Sequence, residues 1–245
     1  MRKITRLGMV IGCLALFGAV AATGQEGVQC AIQQGGALAI SLGAEKLGML
    51  ELNAHGPEWK YVSQTAATAE VKAAEAGKGE VITGRLLVPG AEGGAVVFTE
   101  TVTPGEKQIE VAYDLSFSQV MTVNGLQFSL LLPIKPYAGK SLVVRTGEGE
   151  KQGTLAQILN REQWQLMTVK GTEVKIASGD PEEITITSDR EATIAICDLR
   201  RWDREEFEIR FALLTEDKGK QMTAADSYQT KLTLAFAEPV TLTKP

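Results

Sequence analysis

Seven residues, DLRRWDR (198–204), bring together more hydrogen-bonding capacity than any other short run of the chain. Two chemistries fit them. An indole plate such as Trp202 stacks on the apolar C–H face of a sugar ring. Forked carboxylate and guanidinium groups such as Asp198, Arg200 and Asp203 hydrogen-bond the ring's hydroxyls. On this reading these four are candidate ligand residues, with Trp59 and Trp164 as further plates. The second chemistry is structural. Asp198 has the strand parity of Ile194 and Ile196, so it faces inward at a strand end, and a buried carboxylate needs a partner. Arg200 shares that parity, and Arg201 and Arg204 are close. The same residues then form a clamped turn between two strands, capped by Trp202. The first reading predicts Trp202 in solvent beside a groove, with a second indole nearby. The second predicts Trp202 packed flat on neighbouring strands.

Other chemistries find little footing. His55 is the only histidine, which excludes histidine-based zinc or copper clusters. It lies in LNAHGPEW, where Gly56-Pro57 reads as a turn, so an exposed loop histidine is expected. Asp180, Glu182 and Glu183 crowd a turn but lack the spacing of a calcium loop. There is no Gly-x-Ser-x-Gly elbow, P-loop or dinucleotide fingerprint. No catalytic residue, metal or cofactor is expected.

The elements that must position these residues are strands. Ile109, Val111, Tyr113, Leu115 and Phe117 alternate with polar partners, as do Leu126, Phe128, Leu130 and Leu132. Phe207, Ile209, Phe211 and Leu213 alternate with Glu206, Glu208 and Arg210, and Tyr228 to Phe236 closes the series. Such a rhythm buries one face and wets the other. Pro89-Gly90, Gly93-Gly94 and Pro104-Gly105 punctuate it, and Asn124-Gly125 reads as a tight hairpin turn. Residues 65–79, rich in Ala, Glu and Lys, fit either a helix or a solvated strand, and the strand is preferred because β neighbours flank them; residues 154–167 are read as a short helix with Leu155, Ile158 and Leu159 on one side. About fifteen strands predict an all-β, single antiparallel two-sheet β-sandwich over residues 25–245.

Arg2, Lys3 and Arg6 precede an apolar run from Leu7 to Ala22 and small residues, the pattern of a secretory signal peptide over residues 1–24. The run is short for a membrane span. Removing those three basic residues from 25 basic and 30 acidic ones takes the formal charge from −5 to −8. An acidic surface does not attract nucleic acid or anionic lipid. Cys30 and Cys197 remain, and an oxidising compartment would let them pair. Their strand phases point to opposite faces, so two buried free thiols are the plainer alternative.

The strings VAYDLSF (111–117), GLQFSLLLPIKPYAGK (125–140) and ICDLRRWDREEFEIRFALL (196–214) resemble the galactose-mutarotase-like supersandwich modules of secreted bacterial polysaccharide-processing proteins. The resemblance implies architecture and a carbohydrate setting. That family's mutarotases use paired histidines and a glutamate, and this chain has one histidine, so no catalytic role is carried over. The expected function is an exported, non-catalytic, carbohydrate-associated sandwich with polysaccharide or oligosaccharide as partner. The alternatives are a structural or protein-interaction module of the cell envelope, and an unrecognised glycan-active enzyme.

Overall fold

In a computed structural model the protein is described over residues 27–74 and 79–244. The expected signal peptide lies outside the described residues. The strands are β1 (Val28–Ile32), β2 (Leu38–Leu42), β3 (Glu45–His55), β4 (Tyr61–Ser63), β5 (Thr68–Ala73), β6 (Glu80–Leu87), β7 (Ala95–Pro104) and β8 (Gln108–Phe117). They continue as β9 (Met121–Pro133), β10 (Ser141–Thr146), β11 (Gly149–Thr154), β12 (Gln165–Ile176), β13 (Ile184–Asp198), β14 (Glu206–Met222), β15 (Ser227–Phe236) and β16 (Val240–Thr243).

The all-β expectation holds, but the strands form one hydrogen-bonded sheet rather than two. Its main path runs β16-β1-β2-β3-β9-β14-β13-β15-β8-β7-β6-β5. The fork is at β13. One edge of β13 carries β12 along its length, while the other meets β15 through Ile184–Ser188 and β14 through Thr193–Asp198. From there the sheet curls over itself. Strands β8 and β9 are four ladder steps apart, about 19 Å in a flat sheet. Yet the rings of Tyr113 and Phe128 on those strands lie 4.5 Å apart. Pairing is antiparallel except for β16 on β1, which is parallel.

The core follows the sequence alternation. Ile109, Val111, Tyr113, Leu115 and Phe117 of β8 are buried, whereas Asp114 between them is exposed. Phe98, Phe128, Phe207 and Phe211 enclose the same core, and each fully buried ring contributes roughly 2 kcal/mol. Residues 68–73 of the ambiguous Ala/Glu-rich segment form β5, as read.

Two expectations fail. Asn124-Gly125 is no hairpin turn, for β9 runs straight through it. Opposite it, β14 bulges between Thr215 and Lys220, and the Asn124 amide donates to the Glu216 and Asp217 carbonyls at 3.0 and 2.9 Å. The asparagine serves the neighbouring strand's bulge instead of a turn of its own. Residues 155–164 are not helical. Their supposed stripe is split, with Leu155 buried and Ile158 82% exposed. Asn160 makes a local turn, accepting from Glu162 N at 3.0 Å, and Arg200 takes the Ala156 carbonyl a helix would need.

Candidate functional site

The middle of the sheet, β3-β9-β14, is buried on both faces. One face of β9 sends Leu126, Phe128, Leu130 and Leu132 into the core. The other face carries Gln127 and Ser129, 5% and 0% exposed. Register lines up Glu51, Ser129 and Arg210 across three strands, with Asn53 opposite Gln127. Glu208 stands on the same side of β14 and is also buried. These side chains form one polar layer. Glu208 accepts from Ser129 Oγ at 2.6 Å, from Gln127 Nε2 at 3.2 Å, and pairs with Arg210 at 2.7 Å. The Asn53 amide is oriented with its nitrogen 3.2 Å from Glu51 Oε1 and its oxygen 2.8 Å from Ser129 Oγ. Burial raises the proton affinity of Glu51, opposed by hydrogen bonds from Tyr61 and Asn53.

Aromatic residues overhang this layer. After β3, Gly56 opens a 3-10 turn over Pro57–Trp59, in which Glu58 and Trp59 both take left-handed backbone angles (φ 61° and 59°). That conformation is costly for a bulky residue and concentrates at functional positions. The turn aims Trp59 back over β9, and β4 then brings Tyr61, whose hydroxyl donates to Glu51 at 3.1 Å. His55 packs between them, 5.4 Å from each ring centroid. Its Nδ1 faces the Trp59 carbonyl at 3.4 Å, while its Nε2 is buried without a partner. Burial, helped by the nearby Arg210 charge, lowers its proton affinity. The expected loop histidine is therefore the last residue of β3 and half-buried.

Opposite, a 3-10 turn over Leu199–Trp202 presents Trp202. The result is a cavity of about 460 Å³. Trp59, Tyr61 and Trp202 supply its apolar faces, Gln127, Glu208 and Arg210 its polar depth, with His55 and Arg204 beside them. Trp59 and Trp202 are 40% and 50% exposed. Ligand sites have this size and this mixture of surfaces.

Trp59 and Trp202, of the six candidates from the sequence, meet at the cavity. Trp164 backs Trp202 edge-on at 4.6 Å, and Arg201 sits 5.8 Å from both rings. Asp198 and Arg200 hold each other instead. The carboxylate, 1% exposed, accepts from Arg200 Nε at 2.9 Å, Nη2 at 2.6 Å and the Arg200 amide at 3.1 Å. Asp203 ends the turn in a left-handed conformation and pairs with Arg161 at 3.3 Å in solvent. Sequence reasoning missed His55, Tyr61, Gln127, Glu208 and Arg210 as a group. The available signal is polar alternation on strands that are adjacent in the sheet, Glu51-Asn53-His55, Gln127-Ser129 and Glu208-Arg210. Among the described residues no three histidine, cysteine or acidic side chains are grouped to hold a metal. Cys30 and Cys197 are free thiols, buried in separate apolar clusters.

No known protein family and no curated protein matches the chain. Solved structures do. A galactose mutarotase-like protein from Lactobacillus casei aligns over 83% of this chain and 94% of its own, with a TM-score of 0.51 and 12% identity. A protein from Synechocystis aligns over 82% and 88%, with a TM-score of 0.50 and 9% identity. A 4-alpha-glucanotransferase from Thermococcus litoralis aligns over 83% of this chain but 35% of its own, with a TM-score of 0.50 and 8% identity. The fold is thus similar to that of a galactose mutarotase-like protein, and likeness at these identities extends to the fold alone.

Proposed function

We propose that the cavity binds carbohydrate, and that the protein is an exported, non-catalytic β-sandwich whose partner is an oligosaccharide or polysaccharide. The observation that carries this is the pairing of two half-exposed indoles, Trp59 and Trp202, with a buried polar layer of Gln127, Glu208 and Arg210. Apolar plates over oriented hydrogen-bonding groups are complementary to a sugar ring and its hydroxyls. The structural alternative expects Trp202 flat against strands, whereas Trp202 is half-exposed and meets Trp164 in a T-shaped contact. Structural neighbours named for mutarotase and glucanotransferase proteins add support. A non-catalytic role is favoured because Glu208 is the single carboxylate on the cavity lining and is already held by Ser129, Gln127 and Arg210. We read the curled sheet as a closed sandwich forming one domain over residues 25–245. The basic-then-apolar pattern of residues 2–22 supports export, and N-terminal sequencing of the mature protein tests it.

The test of binding is tryptophan fluorescence titrated with a panel of soluble oligosaccharides. Saturable quenching or a blue shift is expected in the wild type. Trp202→Ala and Trp59→Ala should each weaken the ligand about tenfold, near 1.4 kcal/mol. A flat response across the panel, or wild-type affinity in both variants, overturns the reading.

One observation favours a second reading, a glycan-active enzyme. The buried, unpartnered Nε2 of His55, kept neutral by its surroundings, is a proton acceptor beside the cavity. Turnover of a sugar by the wild type that His55→Gln abolishes would establish it.

A further inference from the structure

A second buried acid lies away from the cavity yet is linked to its wall. Glu100 of β7 is fully buried, with Ile82 of β6 on one side in register and Tyr113 of β8 on the other. Its Oε2 accepts from Gln64 Nε2 at 2.6 Å. Gln64, also fully buried, starts the 3-10 turn Gln64–Ala66 that follows β4. Its Oε1 accepts from the Leu52 amide at 2.8 Å. That amide needs the help. Strand β2 pairs with β3 as far as Leu50, and β4 begins pairing at Asn53. Leu52 falls in the gap, and the Gln64 side chain fills the missing ladder position.

The backbone closes over this link. Gly36 has a φ of 97°, and a Cβ there would lie 2.7 Å from Gln64 Nε2 and 2.8 Å from Glu100 Oε2. Glu100 Oε1 and the Tyr113 hydroxyl are both buried without a well-formed hydrogen bond. The groups acting on Glu100 are Gln64 and Tyr113, neither of them cationic, and the Glu51 charge reaches Tyr113 from β3. An ionised carboxylate there would keep the Gln64 hydrogen bond but face no positive charge. A neutral acid would donate to Tyr113 from one oxygen and accept from Gln64 on the other. Burial pushes its pKa up to about 8.

We propose that Glu100 carries a proton in the folded protein at neutral pH and acts as a latch. Gln64 holds β3 at Leu52 while the acid stays neutral; once the proton is lost the buried carboxylate gains by hydration, and opening of the Gln64–Ala66 turn together with β4 and Tyr61 supplies it. The latch stands independently of what the cavity binds. Its consequence for the site is that the wall made by Tyr61 loosens in alkali.

Hydrogen exchange of the Leu52 amide tests this in the full chain, wild type against Glu100→Gln, across about pH 6 to 9, with intrinsic exchange divided out. An amide at position 100 donates and accepts as the neutral acid does but cannot ionise. In the wild type the opening constant at Leu52 should rise about tenfold per pH unit until about pH 8, then level. In the variant it should stay flat. Parallel profiles would overturn the proposal. Should the variant fail to fold, infrared spectroscopy of wild type decides. A protonated carboxyl band at neutral pH that disappears in alkali supports the latch, and absence of that band at neutral pH refutes it.

Discussion

Gly125 lets Trp59 lie close on β9: a Cβ on Gly125 would lie 3.2 Å from Trp59 Cζ3 and 3.0 Å from His55 Cδ2. Gly125 pairs with His55 in the ladder, so the bare backbone lets both rings settle on β9. Gly125→Ala should push the Trp59 plate outward by a few tenths of an ångström and cost about 1 kcal/mol through overpacking. The urea midpoint measures the stability change. The sugar titration should show a larger loss of affinity than of stability. Unchanged tryptophan emission in the variant would contradict the contact.

Asp198 and Arg200 are predicted to matter for folding rather than for ligand. Asp198→Ala leaves an 87%-buried guanidinium side chain without its carboxylate. Breaking such a pair costs about 3 kcal/mol. Asp203→Asn keeps a residue tolerant of left-handed backbone and loses only a solvent-exposed pair with Arg161, about 0.5 kcal/mol or less. Chemical denaturation of the two variants checks the contrast.

His55 and Glu100 should tilt the stability profile in opposite directions. His55 resists protonation in the fold, while the unfolded chain takes up a proton below about 6.5. Stability therefore falls as pH drops through that range, and His55→Gln should remove the dependence. Glu100 holds its proton in the fold, so its contribution is full below about 4.5 and is lost as pH rises to about 8. Thermal melts of wild type and each variant between about pH 4 and 9 separate the two.

The thiols of Cys30 and Cys197 should be inert in the native protein. Burial pushes them up to about 12 and about 11, so neither ionises at neutral pH. Iodoacetamide followed by peptide mass spectrometry should find both unmodified until denaturant is added. Labelling of either in the folded protein would show that its cluster opens.

The core-facing alternation of β8, β9, β14 and β15 is legible in the sequence because strand period is a local property. The Asp198–Arg200 pair is legible for the same reason, since two residues of one parity stand two apart. The polar layer is not. Alternation tells that Gln127, Ser129, Glu208 and Arg210 leave the core, but not whether water or an aromatic roof meets them. That roof comes from Trp59, Tyr61 and Trp202, which the chain delivers from distant turns. Asn124-Gly125 misleads because the bulge it serves lies some ninety residues further on, at Glu216 and Asp217.

Strand β13 belongs to both arms of the curled sheet, and this shapes how the molecule comes apart. With β14 on its second half and β15 on its first, no boundary divides the ladder into two separately foldable blocks. The arms must be gained and lost together, so a single cooperative transition is expected, and a protease nick inside residues 184–198 would unravel both.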